Sequence, residues 1–153
     1  MPPANDVVQL KLVHMSRLTN RDIIEQWKLG ESVDWRTLTS DEKKEWLLAC
    51  LFYTGLPKGI IPAKNYTVDG REINNPVDFY CLLGQVFFGD KGYFGQDLDG
   101  LHDCFMDLKV SSETTLTIKH HEKLAKILNR KFESYFTSLT DIFKEQGLKI
   151  RLV

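Results

Sequence analysis

The sequence predicts an α/β fold: a small three-stranded parallel sheet with helices packed on it, preceded by an amino-terminal α/β extension. Three observations carry this reading. Thr114 to Lys119 and Leu148 to Leu152 alternate apolar and polar residues at strand spacing, and a third segment places Tyr66 and Val68 two apart ahead of Asp69-Gly70. Between these strands lie paired segments of helical periodicity. The resulting order, β-α-α-β-α-α-β, closes into a parallel sheet through right-handed crossovers. The composition, 42% hydrophobic and 27% charged, is that of a folded chain and not a disordered one.

Taken in order, Val8, Leu10 and Leu12 alternate with Gln9 and Lys11 as a strand, and Asn20 to Leu29 reads as a short helix with Asn20 as its cap. Thr39 and Glu42 form a capping box for a helix whose Trp46, Leu47, Cys50 and Leu51 make an apolar stripe ending before Gly55 and Pro57. Residues 56–64, with Pro57, Gly59 and Pro62, read as a connector. The expected division is therefore an extension, 1–64, and a module, 65–153. In the module Asp69-Gly70 makes a tight turn after the first strand. Asn75 caps the next helix, Pro76 occupies its first position, and Asp78 faces the helix dipole. Phe79, Leu82, Leu83, Val86 and Phe87 share one face. The glycine-rich stretch GDKGYFGQD follows, and Asp97 caps a helix with Leu98, Leu101, Phe105 and Leu108 at helical spacing. Glu122 to Asn129 and Phe132 to Gln146 are expected as the last helices.

Three cysteines without a CxxC pair indicate neither a disulfide framework nor a zinc knuckle, and fit a reducing compartment. The opening MPPAND lacks the basic start of a signal peptide, and the longest apolar run, Trp46 to Tyr53, is far shorter than the roughly 20 residues of a membrane helix. A cytoplasmic protein is expected, with no membrane and no cofactor. The net charge of -1 argues against direct nucleic-acid binding, which needs clustered Lys and Arg.

Charge is concentrated locally. Between Gly92 and Leu108 there are Asp97, Asp99, Asp103 and Asp107 and no Lys or Arg. Asp99, Asp103 and Asp107 fall at i, i+4, i+8, so on one helix they form an acidic ridge whose members repel each other by a few tenths of a kcal/mol per pair. An acidic run is often only a solvated face. Here Tyr93, Phe94, His102 and Met106 stand beside it, and aromatic or soft side chains next to unpaired charges suit a binding surface.

The run YFGQDLDGLHDCF, Tyr93 to Phe105, resembles the loop-and-helix signature of the barstar family: two aromatics, Gly, a polar pair, Leu-Asp, small-Leu, aromatic, Asp-Cys. TVDGRE resembles the family's first strand and turn, and FKEQGLKIRLV its closing helix and strand. The resemblance implies a protein that blocks a ribonuclease by inserting a loop and helix into its active site. It implies that Tyr93 packs near the catalytic histidine, that Asp99 and Asp103 face the active site, and that Asp103 stands in for a substrate phosphate. The expected partner-facing set is Tyr93, Phe94, Gly95, Asp97, Asp99, His102, Asp103, Met106, Asp107 and Glu145. Matching the Phe143-Lys144-Glu145 run puts the family's late glutamate at Glu145, whereas matching Gly147 puts Ile142 there. His102 stands for an expected Trp, Asp97 for Asn, Met106 for Thr, and Gly100 for Ala at about 0.5–1 kcal/mol of helix stability.

Two other readings compete. The ridge could dock on a basic partner, or a toxin, that is not a ribonuclease. Alternatively, His102-Asp103 with His120 and His121 could build a metal phosphohydrolase, but neighbours on a helix point roughly 100° apart and no H-E-x-x-H spacing is present. No catalytic or metal-binding residue is expected. Elemental analysis and hydrolase assays on the purified protein should show no stoichiometric metal and no turnover; one zinc or manganese per chain, lost in His102→Ala, would reverse the reading.

Overall fold

The computed structural model describes residues 17–153, and the strand expected at Val8 to Leu12 lies outside them. The sheet is parallel with strand order β2-β4-β5, where β2 is Asn65–Asp69, β4 Thr115–Lys119 and β5 Lys149–Leu152. Register pairs Tyr66 with Leu116 and Leu116 with Ile150, and two residues on pairs Val68 with Ile118 and Ile118 with Leu152. Every second side chain of β2 and β4 thus enters the core. On the central strand Thr117 is buried as well, its hydroxyl donating to Asn65 Oδ1 at 2.7 Å. A strand covered on both faces needs that partner, because a bare buried hydroxyl is costly.

A second ladder was not legible. Within the expected connector, Gly59–Ile61 forms β1, parallel to β3, Leu108–Val110, with Gly59 opposite Leu108 and Ile61 opposite Val110. Pro57 and Pro62, which lack an N–H, flank the paired residues and do not interrupt them. Three residues are too few to show a period, so only a partner far along the chain reveals the strand.

The helices are α1 Asn20–Lys28, α2 Ser40–Thr54, α3 Pro76–Phe88, α4 Leu98–Cys104, α5 His121–Leu128 and α6 Tyr135–Glu145. Thr39 and Glu42 cap α2 as expected, and Gly55 ends it at φ 87°. The cap of α1 is Thr19 and not Asn20: Thr19 and Asp22 satisfy each other's backbone N–H groups at 3.2 and 2.9 Å. Asn20 instead donates through its backbone and its amide to Glu45, fastening α1 to α2. Asp69-Gly70 enters a single 3-10 turn, Gly70–Glu72, in place of a tight turn. Helix α6 starts at Tyr135, three residues later than expected from Phe132, and Phe132 remains exposed.

Helix α3 is buried nearly all round. Phe79, Leu82, Leu83 and Phe87 share one buried face as expected, with Val86 half-buried, but Tyr80, Cys81 and Gly84 are buried too: α2 lies across the helix, with Cys81 Sγ against the Lys43 carbonyl, and the following loop covers Gly84 with Gly92. Asp78 at its start is 1% exposed; it accepts from the N–H groups of Asn74 and Asn75 and pairs with Lys43 of α2 at 2.6 Å. Trp35 donates its indole N–H to Gln85 of α3 at 3.1 Å, and Trp27 meets Trp46 edge to face. All three tryptophans belong to one core that runs from Ile23 to Leu148.

These contacts cross the expected boundary after residue 64. The fragment 65–153 loses the cover on Tyr80 and Cys81, the β1 ladder and the Lys43 ion, so its unfolding midpoint by circular dichroism should fall by about 10 °C or more relative to the full chain. Equal midpoints would mean that the extension contributes nothing to the module. Lys43→Ala should cost about 3 kcal/mol in urea denaturation, since Asp78 stays buried without its cation.

Acid unfolding supplies a further prediction. Hydrogen bonds from Arg71, and then from His120, hold the Asp69 carboxyl well below its ordinary value of 3.8. A lowered folded pKa stabilises the protein fully above that ordinary value, and the gain is lost as pH falls below it. Because Arg71 is largely exposed, the gain is about 1 kcal/mol or less. Asp69→Asn should flatten the acid limb of the stability curve below pH about 4 and leave neutral-pH stability lower by that amount.

Candidate functional site

The site begins where α3 ends, at Gly89, φ 89°. The loop from Gly89 to Asp97 returns across the helix it has just left, and Gly84 and Gly92 make that return possible. A Cβ on Gly84 would lie 2.3 Å from the Gly92 carbonyl oxygen, and one on Gly92 would lie 2.5 Å from the Gly84 oxygen. Backbone is therefore packed on backbone, and neither residue admits a side chain.

Phe94 fixes the middle of the loop. Its ring is 0% exposed and sits 5.1 Å from Phe87, 4.9 Å from Phe88 and 5.1 Å from Phe105, with Phe143 of α6 at 6.1 Å. The expectation that Phe94 meets a partner is corrected: it is core, because four neighbouring rings offer it an apolar cage. Gly95 follows at φ +90°, and a Cβ there would be 2.6 Å from the Leu101 backbone nitrogen. Its contribution is backbone geometry, a left-handed residue that lets the loop lie directly on α4.

Asp97 then caps α4, its Oδ1 accepting from the Gly100 N–H at 2.7 Å. Leu101 and Cys104 turn inward and are buried, while Asp99, His102 and Asp103 face solvent. Asp99 and Asp103 share a side of the helix, as their spacing requires. Asp107 does not continue the ridge, which is the second correction. The helix closes at Cys104 with Phe105 turned into the core, and bonds from Phe105 N–H to the His102 carbonyl and from Met106 N–H to the Asp103 carbonyl tighten the chain into a turn. Asp107 lies beyond it, where its own carbonyl accepts from Gly59 of β1 at 3.0 Å.

No ion pair or side-chain hydrogen bond engages the carboxylates of Asp99, Asp103 or Asp107 among the described residues. Their field is felt by the groups beneath. Burial, and then the charge of Asp103, pushes the Cys104 thiol up to about 12, so it is no nucleophile at neutral pH. Tyr93, 4% exposed, is likewise pushed up to about 12 by burial and then by Cys104, Asp97 and Asp103, and stays a neutral phenol. Met106 is 80% exposed, and Glu145, the last residue of α6, is exposed as well.

Sequence reading missed the residues that hold the loop from outside. Thr54, the last residue of α2, donates its hydroxyl to the Lys91 carbonyl at 2.7 Å, and the Lys91 ammonium stands over the rings of Trp27 at 5.7 Å and Tyr53 at 5.8 Å. The three tryptophans of the extension were the available signal. The histidines do not converge: His120 Nδ1 meets Asp69 at 3.1 Å and His121 Nδ1 meets the Val153 carbonyl at 3.0 Å. Among the described residues no group of three or more His, Cys, Asp or Glu is arranged to hold a metal ion, and no helix is long and apolar enough to cross a membrane.

No curated protein matches the chain at a significant level. The family model described as Barstar (barnase inhibitor) matches residues 63–153, which contain the sheet, the glycine-pinned loop and α4. With more than half of its length matched, and with the acidic helix and its buried loop inside the match, the chain belongs to the barstar (barnase inhibitor) family.

Proposed function

We propose that this protein is an immunity protein that binds a barnase-type ribonuclease and fills its active site with α4, protecting the RNA of the cell that makes both. The observation that carries the proposal is the state of Asp99 and Asp103, two exposed carboxylates without partners among the described residues, on a helix whose inner side is locked into the core. A ribonuclease cleft binds phosphates with Arg and Lys, and a carboxylate at the phosphate position receives the same charge-assisted hydrogen bonds. Because Phe94 and the glycine crossing fix the loop beforehand, little ordering entropy is spent on binding. Tyr93 supports the surface from below, and His102, Met106, Asp107 and Glu145 form its rim. Three free, buried cysteines are compatible with action in the cytoplasm.

RNA cleavage by barnase, titrated with the full chain, should fall to zero near one equivalent. Undiminished cleavage at a hundredfold excess would overturn the proposal and leave a basic partner of another kind. Association should be steered by charge, with an on-rate that drops steeply with salt while the off-rate changes little. Asp103→Ala should weaken the complex by about 2–5 kcal/mol, tens to thousands of fold, a range known from the barnase–barstar pair itself and inherited with the family. In the free protein the same change removes like-charge repulsion, so thermal stability should hold or rise by a few tenths of a kcal/mol. Full inhibition by the variant, or a large loss of its stability, would show that the carboxylate does not face the enzyme.

A further inference from the structure

The acidic helix is not the end of the surface it belongs to. Directly beside Tyr93 runs a groove of about 400 Å³, and most of its lining comes from the extension: Thr54, Gly55, Leu56, Pro57 and Lys58, with Phe88 and Tyr93 as the module's share. Leu56 is 49% exposed, and past the groove Ile60 is 67% exposed. The backbone joins this edge to the acidic turn. Gly59 donates its N–H to the carbonyl of Asp107, and β1 puts Ile60 opposite Lys109 on β3, so Ile60 and the exposed Met106 both flank the junction that carries Asp107.

We propose that residues 56–60 of the extension form the apolar half of the partner-binding face, taken by an apolar side chain on the rim of the same ribonuclease whose basic cleft receives α4. This rests on the function proposed above. Charge separates the two halves. Lys58 in the groove would repel the cleft itself, whereas the exposed Asp99 and Asp103, unpaired among the described residues, attract it, so the cleft belongs over α4 and its apolar rim over Leu56 and Ile60. Exposed aliphatic side chains bordering unpaired carboxylates reproduce the division of an interface into an apolar part and a polar part. The two halves are also mechanically one. The Thr54 hydroxyl on the Lys91 carbonyl, the Lys91 ammonium over Trp27 and Tyr53, and the β1–β3 ladder tie the extension to both ends of the acidic segment. A partner that grips one therefore meets the other already in place.

The test compares binding of the full chain to barnase for the native protein, Asp103→Ala and the double variant Leu56→Ser/Ile60→Ser, at low and high salt, with unfolding midpoints alongside. Both substituted side chains are exposed, so the double variant should fold normally. It should dissociate about tenfold faster or more, with an unchanged on-rate and an unchanged salt dependence, because desolvated apolar contacts act on the off-rate and long-range steering does not involve them. A photo-crosslinker placed at Ile60 should label the ribonuclease, a readout that does not depend on the stability of the double variant. If the double variant binds within twofold of the native protein and no crosslink forms, while Asp103→Ala weakens binding, the extension lies outside the interface and only this inference fails. If the native protein does not bind barnase, or Asp103→Ala is without effect, the proposed function fails and this inference with it. Sedimentation of the native chain as a dimer that the double variant abolishes would give the groove to a second copy of the chain and also overturn the proposal.

Discussion

Backbone packed on backbone at Gly84 and Gly92 is the constraint from which the functional surface follows. A loop that leaves a helix normally diverges from it; here the absence of two side chains lets it fold back on α3 and carry Phe94 into the core. Once there, Phe94 bridges α3 through Phe87 and Phe88, the end of α4 through Phe105 and α6 through Phe143. Each such aromatic contact contributes about 0.5–1.5 kcal/mol beyond its burial. The position of α4, and so of every carboxylate on it, is set by this cluster and not by the acidic residues themselves.

The extension acts on the same constraint from the other side. Covering Tyr80 and Cys81 with α2 gives α3 a second buried face, and the tryptophans it brings enlarge a core that the module alone would leave open. Small domains bury a smaller fraction of their surface, so added cover has a large effect on a module of this size. Thr54 and Lys91 then connect that cover to the loop. Stability and presentation of the binding surface are thus coupled through one helix.

What could be read from the sequence was whatever local chemistry decides. The Thr39–Glu42 box, Pro76 at a helix start, the three alternating strands of the module and the i, i+4 relation of Asp99 and Asp103 each follow from neighbours a few residues away, and these are present. Long-range pairing decided the rest. Thr19 and Asn20 are both good caps, and the choice between them fell to Glu45, which takes Asn20. The pattern Tyr93-Phe94 suits a binding surface or a core equally well, and four phenylalanines brought together from α3, the end of α4 and α6 made Phe94 core. Asp107 kept the ridge spacing, but the helix ends at Cys104 and the chain turns to pair Leu108–Val110 with β1. Gly59–Ile61 became a strand only because Leu108–Val110 lay beside it.

The acidic residues separate into those that fold the helix and those it carries at a cost. Asp97 accepts the Gly100 N–H and adds negative charge where the helix N-terminus favours it, and Asp99 lies in the first turn, where the dipole is favourable too. Asp103 is the next-to-last residue of α4. A carboxylate there meets the negative end of the dipole, at about 0.3–1 kcal/mol, and faces Asp99 one turn away with no cation among the described residues to relieve either. Folding alone would favour Lys or Ala at that position. A cation supplied from outside offsets both penalties at once, and it gains most at Asp103, where the free protein offers the carboxylate least. The residue least explained by the stability of the free chain is therefore the one best explained by a basic partner.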